Sequence, residues 1–133
     1  MKVKFVGQEI EIPAMITDEF LNTHPECVFV FGDCMARRKL GGSPILKRRL
    51  NVVGFVVKKF AYNRDDSFFT QEEYQPVFKE EKAMLENLIK KNPDRLFLIS
   101  NIGGGMANAH GIYESIVQPW LESLSKKKNV VIL

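Results

Sequence analysis

The chain has little of what most specialised small proteins are built from. Of its 133 residues only two are cysteine, Cys27 and Cys34, and only two are histidine. Two cysteines cannot make a disulfide framework or a four-thiolate zinc site, so a reducing, cytoplasmic setting is expected, with no metal and no cofactor. No apolar run approaches the roughly eighteen residues that a membrane-crossing helix requires. The opening MKVKFVGQEIEIP alternates apolar and charged residues and lacks an apolar core segment, so it does not read as a signal peptide. Nor is there a large charge excess. Nineteen basic against sixteen acidic residues leave +3, short of a dedicated nucleic-acid binder.

What is present is an ordinary globular composition, 45% hydrophobic and 26% charged, in a length that supports one core without staples. One domain over residues 1–133 is expected. Charge is uneven along it. From Cys34 to Tyr62 there is no carboxylate, while Arg37, Arg38, Lys39, Lys47, Arg48, Arg49, Lys58 and Lys59 all fall there. That cluster is either a solvated face or a rim attracting anionic ligands.

Hydrophobic periodicity sets the expected elements. Val3, Phe5, Ile10 and Ile12 alternate with charged residues around Gly7-Gln8, the pattern of a β-hairpin over 1–12 ended by Pro13. A short helical turn is expected over Asp18–Asn22, broken at His24-Pro25. Cys27–Phe31, Val52–Val57, Leu96–Ile99 and Val130–Leu133 are near-continuous apolar runs, as in strands buried on both faces. Helical spacing runs from Glu72 to Lys91 and from Ala109 to Ser125, with Pro119 expected to kink or restart the second. Strands alternating with helices imply a three-layer α/β/α domain around a mixed, largely buried sheet, with the hairpin as an extension.

Two segments share one grammar: buried strand, glycine-bearing loop, helix. The first is Phe29–Asp33 leading to Arg37–Ser43; the second runs from Leu98 through Gly103-Gly104-Gly105 to Gly111. Ligands of α/β sheets gather at the carboxyl ends of strands, and glycine-rich loops there turn backbone N–H groups toward anions. Gly103–Gly105 therefore reads as a phosphate loop, with a flexible turn as the alternative. It is not a Walker loop, since no lysine precedes a serine or threonine after it. It is not the dinucleotide fingerprint either, because Asn108 stands where Gly or Ala is needed. Asn108 is an N-cap candidate, and His110 is either exposed or placed to meet a phosphate. Asp33 closes a buried strand and is expected either to cap a turn or to contact a ligand. Cys34 beside Arg37 and Arg38 lacks a neighbouring base. Phe68, Phe69 and Tyr62 are read mainly as packing, with stacking on a base as the alternative.

The segment Val28-Phe-Val-Phe-Gly-Asp33, followed by Arg38 and Gly41-Gly42, resembles the opening motif of a small family of phage-associated and bacterial proteins. Gly54–Lys58, Phe69-Thr-Gln-Glu-Glu-Tyr74 and Ile102-Gly-Gly-Gly-Met-Ala107 follow in that family's order, over roughly 28–124. This chain departs at Cys34, Pro44 and Val56, where the family has asparagine, a small residue and proline. The layout is also similar to the macro domain, an α/β/α module that binds ADP-ribose. That resemblance implies binding of ADP-ribose or a related adenine-nucleotide diphosphate. Gly32, Asp33, Gly41, Gly42 and Ser43 would come from the first loop. Asn101, Ile102, Gly103, Gly104, Gly105, Met106 and His110 would come from the second. Asp33 would hold the adenine amine or a ribose hydroxyl. Any catalysis would be hydrolysis at a ribosyl carbon or phosphate ester, although no paired carboxylates or base–nucleophile set marks a catalytic residue. A bulky substitution at Gly104 is expected to remove binding and spare the fold. The alternatives are a ligand-free protein-interaction module of mobile-element origin and, third, a nucleic-acid binder using Arg37–Arg49.

Overall fold

The computed structural model describes residues 1–36 and 51–133. Strands β1 (Lys2–Phe5) and β2 (Gln8–Glu11) form the antiparallel hairpin, with Val3 opposite Ile10 and lysines facing glutamates on the outer side. The reversal falls on Val6-Gly7, one residue earlier than the apolar pattern suggests, because Gln8 pairs with Phe5. Both turn residues have positive φ, 49° at Val6 and 74° at Gly7, as in a type I′ turn. Helix α1 (Asp18–Thr23) follows, its first turn capped by the Thr17 hydroxyl accepting from the Phe20 amide.

The central sheet consists of β3 (Cys27–Cys34), β4 (Val52–Lys58), β5 (Leu96–Ile99) and β6 (Val130–Ile132) in the order β4-β3-β5-β6. Every pairing in it is parallel, so the α/β class stands while the mixed character expected of the sheet resides in the separate hairpin. Strands that alternate with long crossovers pair in parallel; only the two-residue turn of the hairpin forces antiparallel neighbours.

Alternation along the strands divides the core. Val28, Val30, Phe97 and Ile99 face one way, with Phe55, Val57, Leu85, Trp120 and Leu124. Cys27, Leu96 and Leu98 face the other, under Phe5, Ile10, Ile12, Phe20 and Leu21. The hairpin is thus part of the layer that covers the second face, together with α1. The first face is covered by α2 (Gln71–Lys91) and α3 (Gln118–Leu124).

Helix α2 begins with a capping box: the Thr70 hydroxyl accepts from the Glu73 amide, and the Glu73 carboxylate accepts from the Thr70 amide. The segment expected to be helical over Ala109–Ser125 becomes helical only at Tyr113 and is broken in two. A 3₁₀ turn (Met106–Asn108) and a π turn (Tyr113–Val117) precede α3. Pro119 explains the break, because it has no N–H to donate and its ring would meet the carbonyl one turn back. The π turn, closed by the Gln118 amide donating to the Tyr113 carbonyl, lets the helix restart with Pro119 in its first turn.

Candidate functional site at the carboxyl edge of the sheet

The strand order creates a switch point. From β3 the chain passes to β4 on one side, then returns to enter β5 on the other side of β3. Crevices at such points, beyond the carboxyl ends of the strands, are where open parallel sheets bind ligands. Ser100 marks the divergence, since its amide and its hydroxyl both donate to the Val30 carbonyl, at 3.1 and 3.0 Å.

The glycine loop begins one residue later, and its three glycines have three different reasons. Gly103 has φ +83°, a conformation that costs an L residue about 1–2 kcal/mol. Gly104 has little room: a Cβ there would lie 3.1 Å from the Asn101 carbonyl oxygen and 3.4 Å from the Tyr113 ring. Gly105 has nothing within 4 Å of where its Cβ would be. Gly104 is therefore no clean probe of binding, since substitution there presses on the loop itself; Gly105 is the better position. Asn101, Gly104, Gly105, Met106 and His110 are exposed, and Ile102, 2% exposed, anchors the loop in the core.

Internal hydrogen bonds give the loop one shape. The Ile102 amide donates to the Ser100 carbonyl (2.7 Å), Gly104 to Asn101 (2.9 Å) and Asn108 to Gly105 (3.0 Å). Among the described residues, the amides of Gly103, Gly105 and Met106 find no protein acceptor. Asn108 acts as a cap over a longer reach than expected. Its carbonyl oxygen accepts from the Tyr113 amide, while its amide nitrogen donates to both Glu114 oxygens at 2.9 Å. His110 offers its backbone carbonyl to the Gln71 side chain, tying the loop to the start of α2. The helical segment expected from Ala109 begins only at Tyr113, and what directly follows Gly105 is a three-residue 3₁₀ turn, so the loop amides have no long helix dipole directly behind them.

On the β3 side, Gly32 is exposed and Asp33 is 3% exposed. Asp33 Oδ1 accepts from the Cys34 amide at 2.8 Å, at a register irregularity between these residues. Its carboxylate lies over Gly54, where an added Cβ would approach Oδ2 to 2.6 Å; only glycine fits there. Gly41, Gly42 and Ser43, with Pro44 and the basic cluster from Arg37 to Arg49, lie outside the described residues. Both cysteines are buried thiols. Burial, then the neighbouring Glu26 charge, pushes the Cys27 thiol up to about 11, which makes it an inert core residue.

Val57, a residue without a sequence signal, joins the two halves of the site. Its methyls lie 3.1 Å from where a Cβ on Gly32 would be and 3.7 Å from where one on Gly103 would be. The ends of β3 and the glycine loop are thus one side chain apart. The outer edge of β4 is held by α2: the Val56 amide donates to Glu81 Oε1 (2.7 Å), and the Tyr74 hydroxyl donates to the Val56 carbonyl (2.6 Å). Burial, then the Glu81 charge, raises the Tyr74 hydroxyl far above the ordinary phenol range. Phe68 and Phe69 are buried as expected, whereas Tyr62 is exposed beside an equally exposed Phe60. Tyr113, which walls Gly104, also lines a cavity of about 250 Å³ with Gln118, Leu121, Glu122, Ser125 and Ile132. Among the described residues, no group of three or more His, Cys, Asp or Glu side chains is gathered for a metal, and no helix is long and apolar enough to cross a membrane.

These features define a parallel α/β domain with a glycine loop at its topological switch point. The chain belongs to a family of unknown function, DUF7831, whose model matches residues 11–112. That span takes in β3, β4, α2, β5 and the whole glycine loop. No curated protein and no solved structure matches the chain.

Proposed function

We propose that this protein binds an adenine-nucleotide diphosphate of the ADP-ribose class at the carboxyl edge of its sheet. The observation that carries the reading is the Gly103–Gly105 loop, which is fixed by its own hydrogen bonds, set at the switch point, and left with amides that no group among the described residues accepts from. Such amides suit the oxygens of a diphosphate, and the open space at Gly105 lets a ligand approach the backbone. The resemblance to macro domains supports the same ligand class. Exposed Gly32 offers the neighbouring surface on the β3 side, the buried Val57 packs beneath both it and Gly103, and Asp33 shapes the exit of β3. No residue is assigned a catalytic role.

The test is thermal denaturation with ADP-ribose, ADP, AMP and inorganic pyrophosphate on the wild type and on Gly105→Leu. Saturation at one hundred times the dissociation constant adds roughly 2.7 kcal/mol, a rise of several degrees. The wild type is expected to show that rise with ADP-ribose and Gly105→Leu to lose it while keeping its ligand-free midpoint. An equal rise in both proteins removes the glycine loop from the site. No rise with any of these ligands turns the assignment to a protein-interaction module.

A further inference from the structure

Beyond β4 the chain makes a closed loop over residues 59–67. The Lys59 amide donates to the Ser67 carbonyl (2.7 Å), and Lys58 bridges to Phe68 across the neck. Inside it, Lys58 Nζ donates to Asn63 Oδ1 (2.6 Å) and the Tyr62 hydroxyl donates to Asp66 (3.2 Å). Compact loops packed by their own side chains, with ends held together, are frequently functional. This one displays two aromatic rings to solvent, Phe60 39% and Tyr62 44% exposed, stacked 8° from parallel with centroids 5.3 Å apart. The Arg64 guanidinium lies over Tyr62, 5.1 Å from its centroid.

We propose that the Phe60–Tyr62 stack is the seat for the purine ring of the nucleotide whose diphosphate meets the glycine loop; this deepens, and rests on, the reading of that loop. Stacked rings held rigid before binding extend naturally to a further planar ring, and their ordering entropy is already spent. Arg64 adds positive charge beside the stack, which suits a ligand with an anionic tail. Among the described residues this patch carries carboxylates as well as cations, Asp66 accepting from Tyr62 and Glu73 pairing with Lys59, so it fits one base rather than a polyanionic strand. Position agrees. The Lys59 carbonyl accepts from the Ala36 amide, which sets the loop beside the exit of β3. Phe60 follows Val57, the residue between Gly32 and Gly103, by only three positions, at most ~11 Å of extended chain.

The experiment is calorimetric titration of the wild type, Phe60→Ala and Tyr62→Ala with ADP-ribose, adenosine and inorganic pyrophosphate. Each variant is expected to bind ADP-ribose about tenfold more weakly or worse, to lose adenosine, and to hold pyrophosphate as the wild type does. Both side chains are exposed, so the thermal midpoints stay unchanged. Variants that bind ADP-ribose and adenosine like the wild type overturn the platform and leave the glycine loop standing. If the wild type ignores pyrophosphate but binds adenosine, and Phe60→Ala loses it, the loop reading falls and the platform stands. A wild type that binds neither adenosine nor ADP-ribose overturns the platform.

Discussion

The two faces of the sheet are covered by different kinds of structure. On the helical face, rings interlock: Trp120 lies 5.3 Å from Phe55 and meets Phe78 edge-on at 5.3 Å, while Tyr74 sits between Phe69 and Phe78. On the same face the Tyr74 hydroxyl donates to the Val56 carbonyl and Glu81 accepts from the Val56 amide, which closes the edge of β4, a standard liability of open sheets. The hairpin face is covered by Phe5, Ile10, Ile12, Phe20 and Leu21, and its ring contacts are isolated pairs, Phe29 with Phe31 and Phe20 with His24, in place of an interlocked cluster. The glycine loop leans on the helical face, since Gly103 nestles against Val57, Ile112 and Val117. Rigidity at the candidate site is therefore supplied mainly from one side of the sheet.

Core truncation tests that asymmetry most strongly. Phe55→Ala, at the centre of the ring cluster and fully buried, is expected to cost about 3–5 kcal/mol in urea unfolding. Ile10→Ala, 3% exposed but on a two-stranded flap, is expected at the low end of the aliphatic range, about 2 kcal/mol. Equal losses would mean that both faces are integrated alike, and the contrast would fall.

The glycine loop sharpens the comparison at smaller scale. Gly103→Ala forces a side chain into a left-handed conformation and is expected to cost about 1–2 kcal/mol, whereas Gly105→Ala is expected to leave stability unchanged. A neutral Gly103→Ala would show that the loop relaxes freely, which would also weaken its case as a preformed anion site.

How far the sequence reveals all this depends on the range of the forces involved. The four buried strands, the long amphipathic helix and the switch of Pro119 from interruption to restart are local patterns, and they are legible. The Gly103–Gly105 loop is legible too, because three consecutive glycines stand out without any partner. Val57 is not, because its importance comes from lying between two glycines that are 71 residues apart in sequence, Gly32 and Gly103. The exposure of Phe60 and Tyr62 is equally hidden. Burial of Phe68 and Phe69 a few residues later follows from the same composition, and only the closure of the loop decides which rings face water. The parallel sheet throughout, in place of a mixed one, depends on the pairing of segments far apart.

The hairpin turn offers a change in the opposite direction. Val6 is β-branched, 76% exposed and held at φ 49°, where such side chains are disfavoured. Val6→Asn creates the Asn-Gly pair that type I′ turns prefer and is expected to stabilise the protein by about 1 kcal/mol. The gain is expected in full only if the hairpin unfolds together with the sheet. If amide exchange in β1 and β2 slows while global unfolding is unmoved, the flap is a separate cooperative unit and the two faces differ more than their packing suggests.

The smallest effect lies on the helical face, at its surface. Lys59 Nζ sits 2.7 Å from Glu73 Oε2, joining the start of the aromatic loop to the start of α2. The Lys59 ammonium first, and the Thr70 amide second, hold the Glu73 carboxyl down to about 2, from an ordinary value of 4.5. A carboxylate depressed on folding contributes stability that is complete above the ordinary value and is lost as pH falls toward 2. Glu73→Gln keeps an acceptor for the Thr70 amide, as glutamine also serves in capping boxes, and removes only the charge. The melting temperature of Glu73→Gln is therefore expected to lie below that of the wild type at pH 6. That gap should narrow between pH 4.5 and 2 and shrink in high salt, as an exposed ion pair must. A gap constant across that window, or no gap at all, would show that the Lys59–Glu73 ion pair contributes no measurable stability.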